Sequence, residues 1–174
     1  LTNGLGKSIQ EIMKPSSEGA KKYDTATFYS ISNCQEGLSR VTLGNFLIKR
    51  VVYEIQEELP NIKNFGTLSP IPGFRDWFIT LDEKIIQNIL EKIPYNNVSF
   101  LKSSDLKVGD GRIVSNKHAI IKLVAHYLIN EKNKKGLPIN DVCRFHLGNG
   151  AIIDDININA NISEIGLNRS FGVM

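Results

Sequence analysis

The sequence has few cysteines, no long apolar run and no cluster of charge of one sign. Its two cysteines, Cys34 and Cys143, stand in neither C-x-x-C nor Cys/His ligand spacing. This pattern predicts no disulfide framework and no structural zinc, and it favours a reducing compartment, for which we expect the cytoplasm. No apolar run approaches the roughly 18 residues that a membrane span requires, so we expect no membrane partner.

The charged residues are dispersed along the chain. The 21 basic and 18 acidic residues give a net charge of +3, without the Lys/Arg stripes and interleaved aromatic residues of a nucleic-acid surface. This composition favours a small polyanion over a nucleic-acid partner. The length of 174 residues and the 41% hydrophobic content are typical of one globular domain. The oligomeric state stays open, a homo-oligomer included.

Hydrophobic periodicity predicts a mixed α/β fold. Thr80 and Glu83 have capping-box spacing at the start of one predicted helix, and Gly148-Asn149-Gly150 is typical of a hairpin turn. Residues 69–74 hold two prolines and form a rigid connector. The predicted helices cover residues 8–13, 43–59, 80–93 and 115–132, the predicted strands cover residues 25–32 and 64–68, and a β-hairpin covers residues 144–153.

The loop before the helix at residue 43 is one candidate for ligand binding. Exposed amides at a helix start attract phosphate, Gly44 permits close approach, and Arg40 can pair with a phosphate group. A purely structural alternative stays open, with Thr42 as an ordinary helix cap.

Ser69 and His146 form a second candidate. Pro70 and Pro72 fix the direction of the Ser69 hydroxyl at a strand end, and the hairpin would point His146 to one side of its strand. Lone histidines are more often structural, and we interpret His118 and His126, eight residues apart, as solvated-face residues and not as metal ligands.

Five blocks in order along the chain resemble the catalytic domain of the malonyl-CoA decarboxylase family. They include F-Y-S-I-S, L-S-P-I-P-G-F and R-F-H-L-x-N-G-A, and they lie at residues 28–32, 35–38, 43–52, 68–74 and 144–151. The resemblance extends from about Leu1 to the C-terminus. It departs from the family at Ile158 and Asn161, where the family commonly has tryptophan and aspartate.

The resemblance implies an acetyl-CoA-dependent N-acetyltransferase-like fold, with a mixed central sheet flanked by helices. It implies that residues 1–174 are a catalytic domain cut from a longer enzyme, without the family's N-terminal helical domain. It further implies catalytic roles for Ser69 and His146, which also contact substrate. The other implied malonyl-CoA contacts are Ser39, Arg40, Val41, Thr42, Leu43, Gly44 and Asn45.

The implied reaction converts malonyl-CoA to acetyl-CoA and CO2. The thioester itself accepts the negative charge left by CO2, so we expect no cofactor and no metal. Two alternatives remain at this point: a CoA-dependent acyltransferase with an amine acceptor, and a catalytically silent CoA-binding domain. Relatives also occur in mitochondria and peroxisomes, so these compartments stay open beside the cytoplasm.

Overall fold

The computed structural model describes residues 1–14, 23–29, 43–103, 106–107 and 109–174. The chain divides into two compact units, Leu1–Ser69 and Pro70–Met174. Among the described residues, no helix has both the length and the apolar character needed to cross a membrane.

The first unit contains a parallel pair of strands with a helix between them in the chain. Strand β1 covers Thr25–Tyr29 and strand β2 covers Asn64–Leu68, with Thr25 opposite Asn64 and Tyr29 opposite Leu68. Parallel strands need a long crossover connection, because a tight turn would reverse the chain direction. Helix α2, Leu43–Glu58, lies within that connection.

Several predicted elements of this unit are confirmed. Helix α1 covers Ile9–Ile12 and begins at Ser8, whose side chain accepts a hydrogen bond from the Glu11 amide. The predicted helix at residues 43–59 and strand at residues 64–68 are present. For the strand predicted at residues 25–32, the structure describes residues 25–29, and the remainder lies outside the described residues.

The second unit is helical. Its apolar core centres on Phe74, Phe78 and Phe171, with Phe171 meeting the other two rings edge-on at centroid distances of 5.9 and 5.8 Å. Two 3-10 turns, Tyr95–Asn97 and Ser99–Lys102, lie between the fourth and fifth α-helices of the chain. The α-helices are α3 (Phe74–Thr80), α4 (Glu83–Leu90), α5 (Gly111–Ser115), α6 (Lys117–Ile129), α7 (Asp141–Gly148) and α8 (Glu164–Ser170).

The predicted apolar face of the helix at residues 115–132 is confirmed. Helix α6 covers most of this range, and Asn116 separates it from α5. All six apolar residues assigned to the inner face are buried, namely Ala119, Ile120, Leu123, Val124, Tyr127 and Leu128.

Two predicted boundaries in the second unit are wrong. Thr80 does not cap the next helix, because it closes α3, where its hydroxyl donates to the Trp77 carbonyl. Asp82 instead precedes α4. Phe74 opens α3, so the rigid connector is shorter than predicted and ends at Gly73.

The β-hairpin predicted at residues 144–153 is also wrong. Residues 141–148 form α7, and Gly148-Asn149-Gly150 ends this helix where a hairpin turn was expected. Gly150 has φ +86°, and the amides of Gly150 and Ala151 donate to the Leu147 and His146 carbonyls. This is the Schellman arrangement of a helix C-terminus, which uses the same glycine signal as a tight turn.

Candidate active site

Ser69 directly follows strand β2 and ends the first unit. Its hydroxyl is half-buried and donates to the Thr67 hydroxyl oxygen at 3.1 Å. Alternate residues of a strand share one face, so the two hydroxyls stand side by side. Pro70 follows at once and restricts Ser69 to extended backbone.

The carboxyl ends of β1 and β2 lie at the same edge of the parallel pair, since Tyr29 is opposite Leu68. Ser69 therefore follows β2 at the same edge at which β1 ends. In open α/β sheets, ligands bind outside the carboxyl ends of the strands. The chain that continues from Tyr29 contains residues 39–42, four of the predicted substrate contacts.

Most of the predicted CoA contacts lie outside the described residues. Ser39, Arg40, Val41 and Thr42 are not described, so their role stays a prediction. Leu43, Gly44 and Asn45 form the first turn of α2, and only their backbone is described. Helix α2 thus begins where the sequence predicted a phosphate-binding helix start.

His146 lies on α7, in the last turn of that helix, and not on the strand that the sequence predicted. The imidazole is half-buried, and its ring meets the Phe145 ring edge-on at a centroid distance of 5.1 Å. Desolvation of the ring lowers the pKa of His146 below its ordinary value of 6.5. The neutral imidazole therefore predominates at neutral pH.

Both ends of α7 are fixed. At the N-terminus, the Asn140 side chain accepts a hydrogen bond from the Cys143 amide at 2.8 Å. At the C-terminus, the His146 carbonyl accepts from the amides of Asn149 and Ala151. Cys143 is a buried free thiol, and it lies one turn before His146 on the same side of the helix.

The connector after Ser69 is held by two side chains that sequence reasoning missed. The Pro72 carbonyl accepts hydrogen bonds from the Asn140 amide at 2.8 Å and from the Tyr127 hydroxyl at 3.1 Å. Gly73 has φ +80°, and a Cβ added there would lie 2.9 Å from the Tyr127 hydroxyl oxygen. An Asn-Asp pair before an apolar run is a helix-start signal, so Asn140 was detectable as a cap.

The interpretation of the other two histidines as solvated-face residues holds for His118 and is wrong for His126, which is partly buried. His126 stacks on Trp77 at a centroid distance of 6.1 Å and lies 3.6 Å from a Glu131 carboxylate oxygen. His118 is exposed on α6. Among the described residues, no group of three His, Cys, Asp or Glu side chains is arranged to hold a metal ion.

A family model for the malonyl-CoA decarboxylase C-terminal domain matches residues 1–174. Two curated relatives named mitochondrial malonyl-CoA decarboxylase are similar over the full chain. The protein from Anser anser anser is 38% identical over 196 residues, and that from Rattus norvegicus is 37% identical over 201 residues. The chain spans 39% and 40% of their respective lengths.

Solved structures agree with this match. A malonyl-CoA decarboxylase from Rhodopseudomonas palustris superposes with a TM-score of 0.82 at 36% identity, over 100% of this chain and 40% of the bacterial one. A malonyl-CoA decarboxylase from Agrobacterium vitis superposes with a TM-score of 0.83 at 34% identity, over 100% of this chain and 43% of that one.

Proposed function

Because the chain belongs to the malonyl-CoA decarboxylase family, we propose that it catalyses the decarboxylation of malonyl-CoA to acetyl-CoA and CO2. The observation that carries this proposal is the match of the family model along residues 1–174. We also propose that the parallel strand pair belongs to the mixed central sheet of an acetyl-CoA-dependent N-acetyltransferase-like fold, flanked by helices. Residues 1–174 would then form one catalytic domain.

The reaction requires positioning and proton delivery. The bond between the α-carbon and the carboxylate breaks, CO2 leaves, and the electron pair delocalises onto the thioester oxygen as an enolate. A proton then adds to the α-carbon to give acetyl-CoA. The protein has to hold the breaking bond perpendicular to the thioester plane, donate hydrogen bonds to the enolate oxygen and supply the proton.

His146 is the proposed proton donor. Its lowered pKa keeps the imidazole neutral in the free protein at neutral pH, and a bound malonyl carboxylate would favour the imidazolium by its negative charge. Substrate binding would thereby bring onto His146 the proton that the enolate needs. The imidazolium formed in this way can act as the general acid that protonates the α-carbon.

Ser69 is the proposed orienting group. Its hydroxyl stands beside that of Thr67 at the strand edge, where a donor can hydrogen-bond to the malonyl carboxylate or join the proton relay. The reverse division of labour, with Ser69 delivering the proton, is the alternative within the same reaction. The proposed CoA-binding segment is residues 39–45, where the first-turn amides of α2 would face the phosphates.

The test follows acetyl-CoA by mass spectrometry after malonyl-CoA is added to the 174-residue protein. We expect acetyl-CoA to form without any acceptor. His146→Ala should lower kcat by about 10²–10⁴, the usual worth of general acid catalysis. Ser69→Ala should lower it by about 10–10², the cost of lost orientation. The exposed His118→Ala is the matched control and should retain wild-type kcat.

Three outcomes would contradict the proposal in different ways. A His146→Ala variant as fast as wild type removes the assigned proton donor. Malonyl-CoA that stays intact until an amine is added indicates a CoA-dependent acyltransferase. Binding of malonyl-CoA without turnover indicates a silent CoA-binding domain.

We propose the cytoplasm as the place of action. The relatives from Anser anser anser and Rattus norvegicus carry the word mitochondrial in their names, which makes the mitochondrion the first alternative and the peroxisome the second. Cell fractionation followed by immunoblotting of the native protein distinguishes the three compartments.

A further inference from the structure

We propose that Asn140 is a positioning residue for this reaction, because its side chain joins the start of the His146 helix to the Pro72 carbonyl of the connector. The proposal rests on the proposed function, since it takes His146 as the proton donor. Asn140 acts through the placement of α7 and needs no contact with substrate.

The Asn140 side chain makes two hydrogen bonds of opposite sense. Its oxygen accepts from the Cys143 amide at 2.8 Å and its nitrogen donates to the Pro72 carbonyl at 2.8 Å. The residue is 2% exposed, so neither bond is exchanged readily with water. Only an amide side chain of this length supplies both an acceptor and a donor here. Serine keeps the cap acceptor but is too short to reach Pro72.

Tyr127 is a second side chain that donates to the Pro72 carbonyl, so three parts of the second unit meet there. Its hydroxyl, on α6, donates to the Pro72 carbonyl at 3.1 Å. Burial is the largest influence on the Tyr127 hydroxyl, and it raises the pKa of that group. The connector, α6 and the start of α7 therefore meet at one point inside the second unit.

The geometry of α7 converts a small movement at Asn140 into a larger one at His146. With a rise of 1.5 Å per residue, His146 lies about 9 Å along the axis from Asn140. A tilt of about 10° at the cap would displace His146 by about 1.6 Å. Misplacement of a catalytic group by about 1 Å can cost about 10²-fold in rate.

The experiment compares four variants of the full chain in kcat, KM for malonyl-CoA and Tm. Asn140→Ala removes the cap and the bond to Pro72, and Asn140→Ser keeps the cap alone. Tyr127→Phe removes the second donor to Pro72 and leaves the residues of α7 and its cap unchanged. Ser163→Ala is the matched control, because Ser163 caps α8 by accepting from the Gly166 amide at 3.1 Å. No role in the reaction is proposed for α8.

We expect Asn140→Ala and Ser163→Ala to lower the Tm by similar amounts of about 2–6 °C. Only Asn140→Ala should lower kcat, by about 10–100-fold, with KM within about twofold of wild type. Asn140→Ser should recover the Tm but not kcat, and Tyr127→Phe should lower kcat by about 3–10-fold. The proposal is overturned if Asn140→Ser recovers both quantities, or if Ser163→Ala loses as much activity.

A measurement that needs no turnover separates this proposal from the proposed function. In two-dimensional NMR of the imidazole C–H groups, Asn140→Ser and Tyr127→Phe should shift or split the His146 resonance and leave that of exposed His118 in place. If the wild-type protein makes no acetyl-CoA, the proposed function fails, and this spectrum still tests the junction. Unchanged His146 resonances in both variants would refute the positioning role.

Discussion

The half-buried imidazole of His146 links the stability of the second unit to pH. Desolvation lowers its pKa below the ordinary value of 6.5, which the unfolded chain retains. Between the two pKa values the unfolded state binds more protons, so stability rises with pH there. The contribution is present in full above about pH 6.5 and is lost as the pH falls through the folded-state pKa.

Replacing this histidine should flatten the acid side of the stability curve. We expect the Tm of wild type to fall more steeply than that of His146→Gln between about pH 7 and pH 5, with parallel curves above that range. Thermal melts followed by circular dichroism measure both. The exposed His118→Gln should follow wild type, and an equal acid slope in His146→Gln would show that burial of this ring does not govern the effect.

The segment Gly148-Asn149-Gly150 shows how one signal serves two elements. A glycine with positive φ suits both a tight hairpin turn and the residue after a helix C-terminus. The residues at the start of α7 decide between a helix and a hairpin. Asn140 caps the first turn, and Asp141 adds a negative charge where the helix dipole favours it.

Two glycine substitutions distinguish the helix from a hairpin. Gly148 lies inside α7 with no atom within 4 Å of an added Cβ, so Gly148→Ala should stabilise the protein by about 0.5–1 kcal/mol. Gly150 has φ +86°, so Gly150→Ala should destabilise it by about 1–2 kcal/mol. Urea denaturation gives both values, and a hairpin turn at these residues would make both substitutions destabilising.

At the level of elements, the hydrophobic periodicity of the sequence correctly predicted several helices and strands. Three of these predictions are confirmed, namely the inner face of α6, the strand at residues 64–68 and the helix that begins at residue 43. The helix α3 was missed because the prolines before it suggested a connector through Phe74. The junction at Pro72 could not be predicted, because its two donors are distant in sequence. Asn140 lies 68 positions after Pro72, and Tyr127 lies 55 positions after it.

The candidate site was predicted unevenly for the same reason. Ser69 stands at a strand end as the sequence indicated, because that placement is local. His146 was assigned to the wrong element, and the role proposed for it came from the resemblance of whole blocks. Neither spacing nor composition reveals which distant carbonyl a buried asparagine contacts.

On the scale of the whole molecule, Phe171 and Val173 complete the apolar core of the second unit. Phe171 is fully buried between Phe74 and Phe78, and the Met174 amide donates to the Asn157 carbonyl. Phe171 also holds a left-handed backbone conformation, with φ 55°, which follows α8. The packing of this ring compensates for the cost of that conformation.

Phe171→Ala should destabilise the protein by about 3–5 kcal/mol, the usual cost of a large cavity in a packed core. Guanidinium denaturation, read by the fluorescence of Trp77 in the same unit, measures this loss. Ile152, which is 82% exposed, provides the control, and Ile152→Ala should stay within about 0.5 kcal/mol of wild type. A small effect of Phe171→Ala would mean that the ring contributes little to the core.

The double hydrogen bond at the Pro72 carbonyl also constrains the order of folding. Pro70 and Pro72 have no amide hydrogen, so the connector cannot fix itself through a backbone ladder. Its two side-chain donors arrive from residues 127 and 140, and closing loops of that length precedes any gain from the contacts. The Pro72 carbonyl can therefore acquire both of its side-chain donors only once residue 140 has been synthesised.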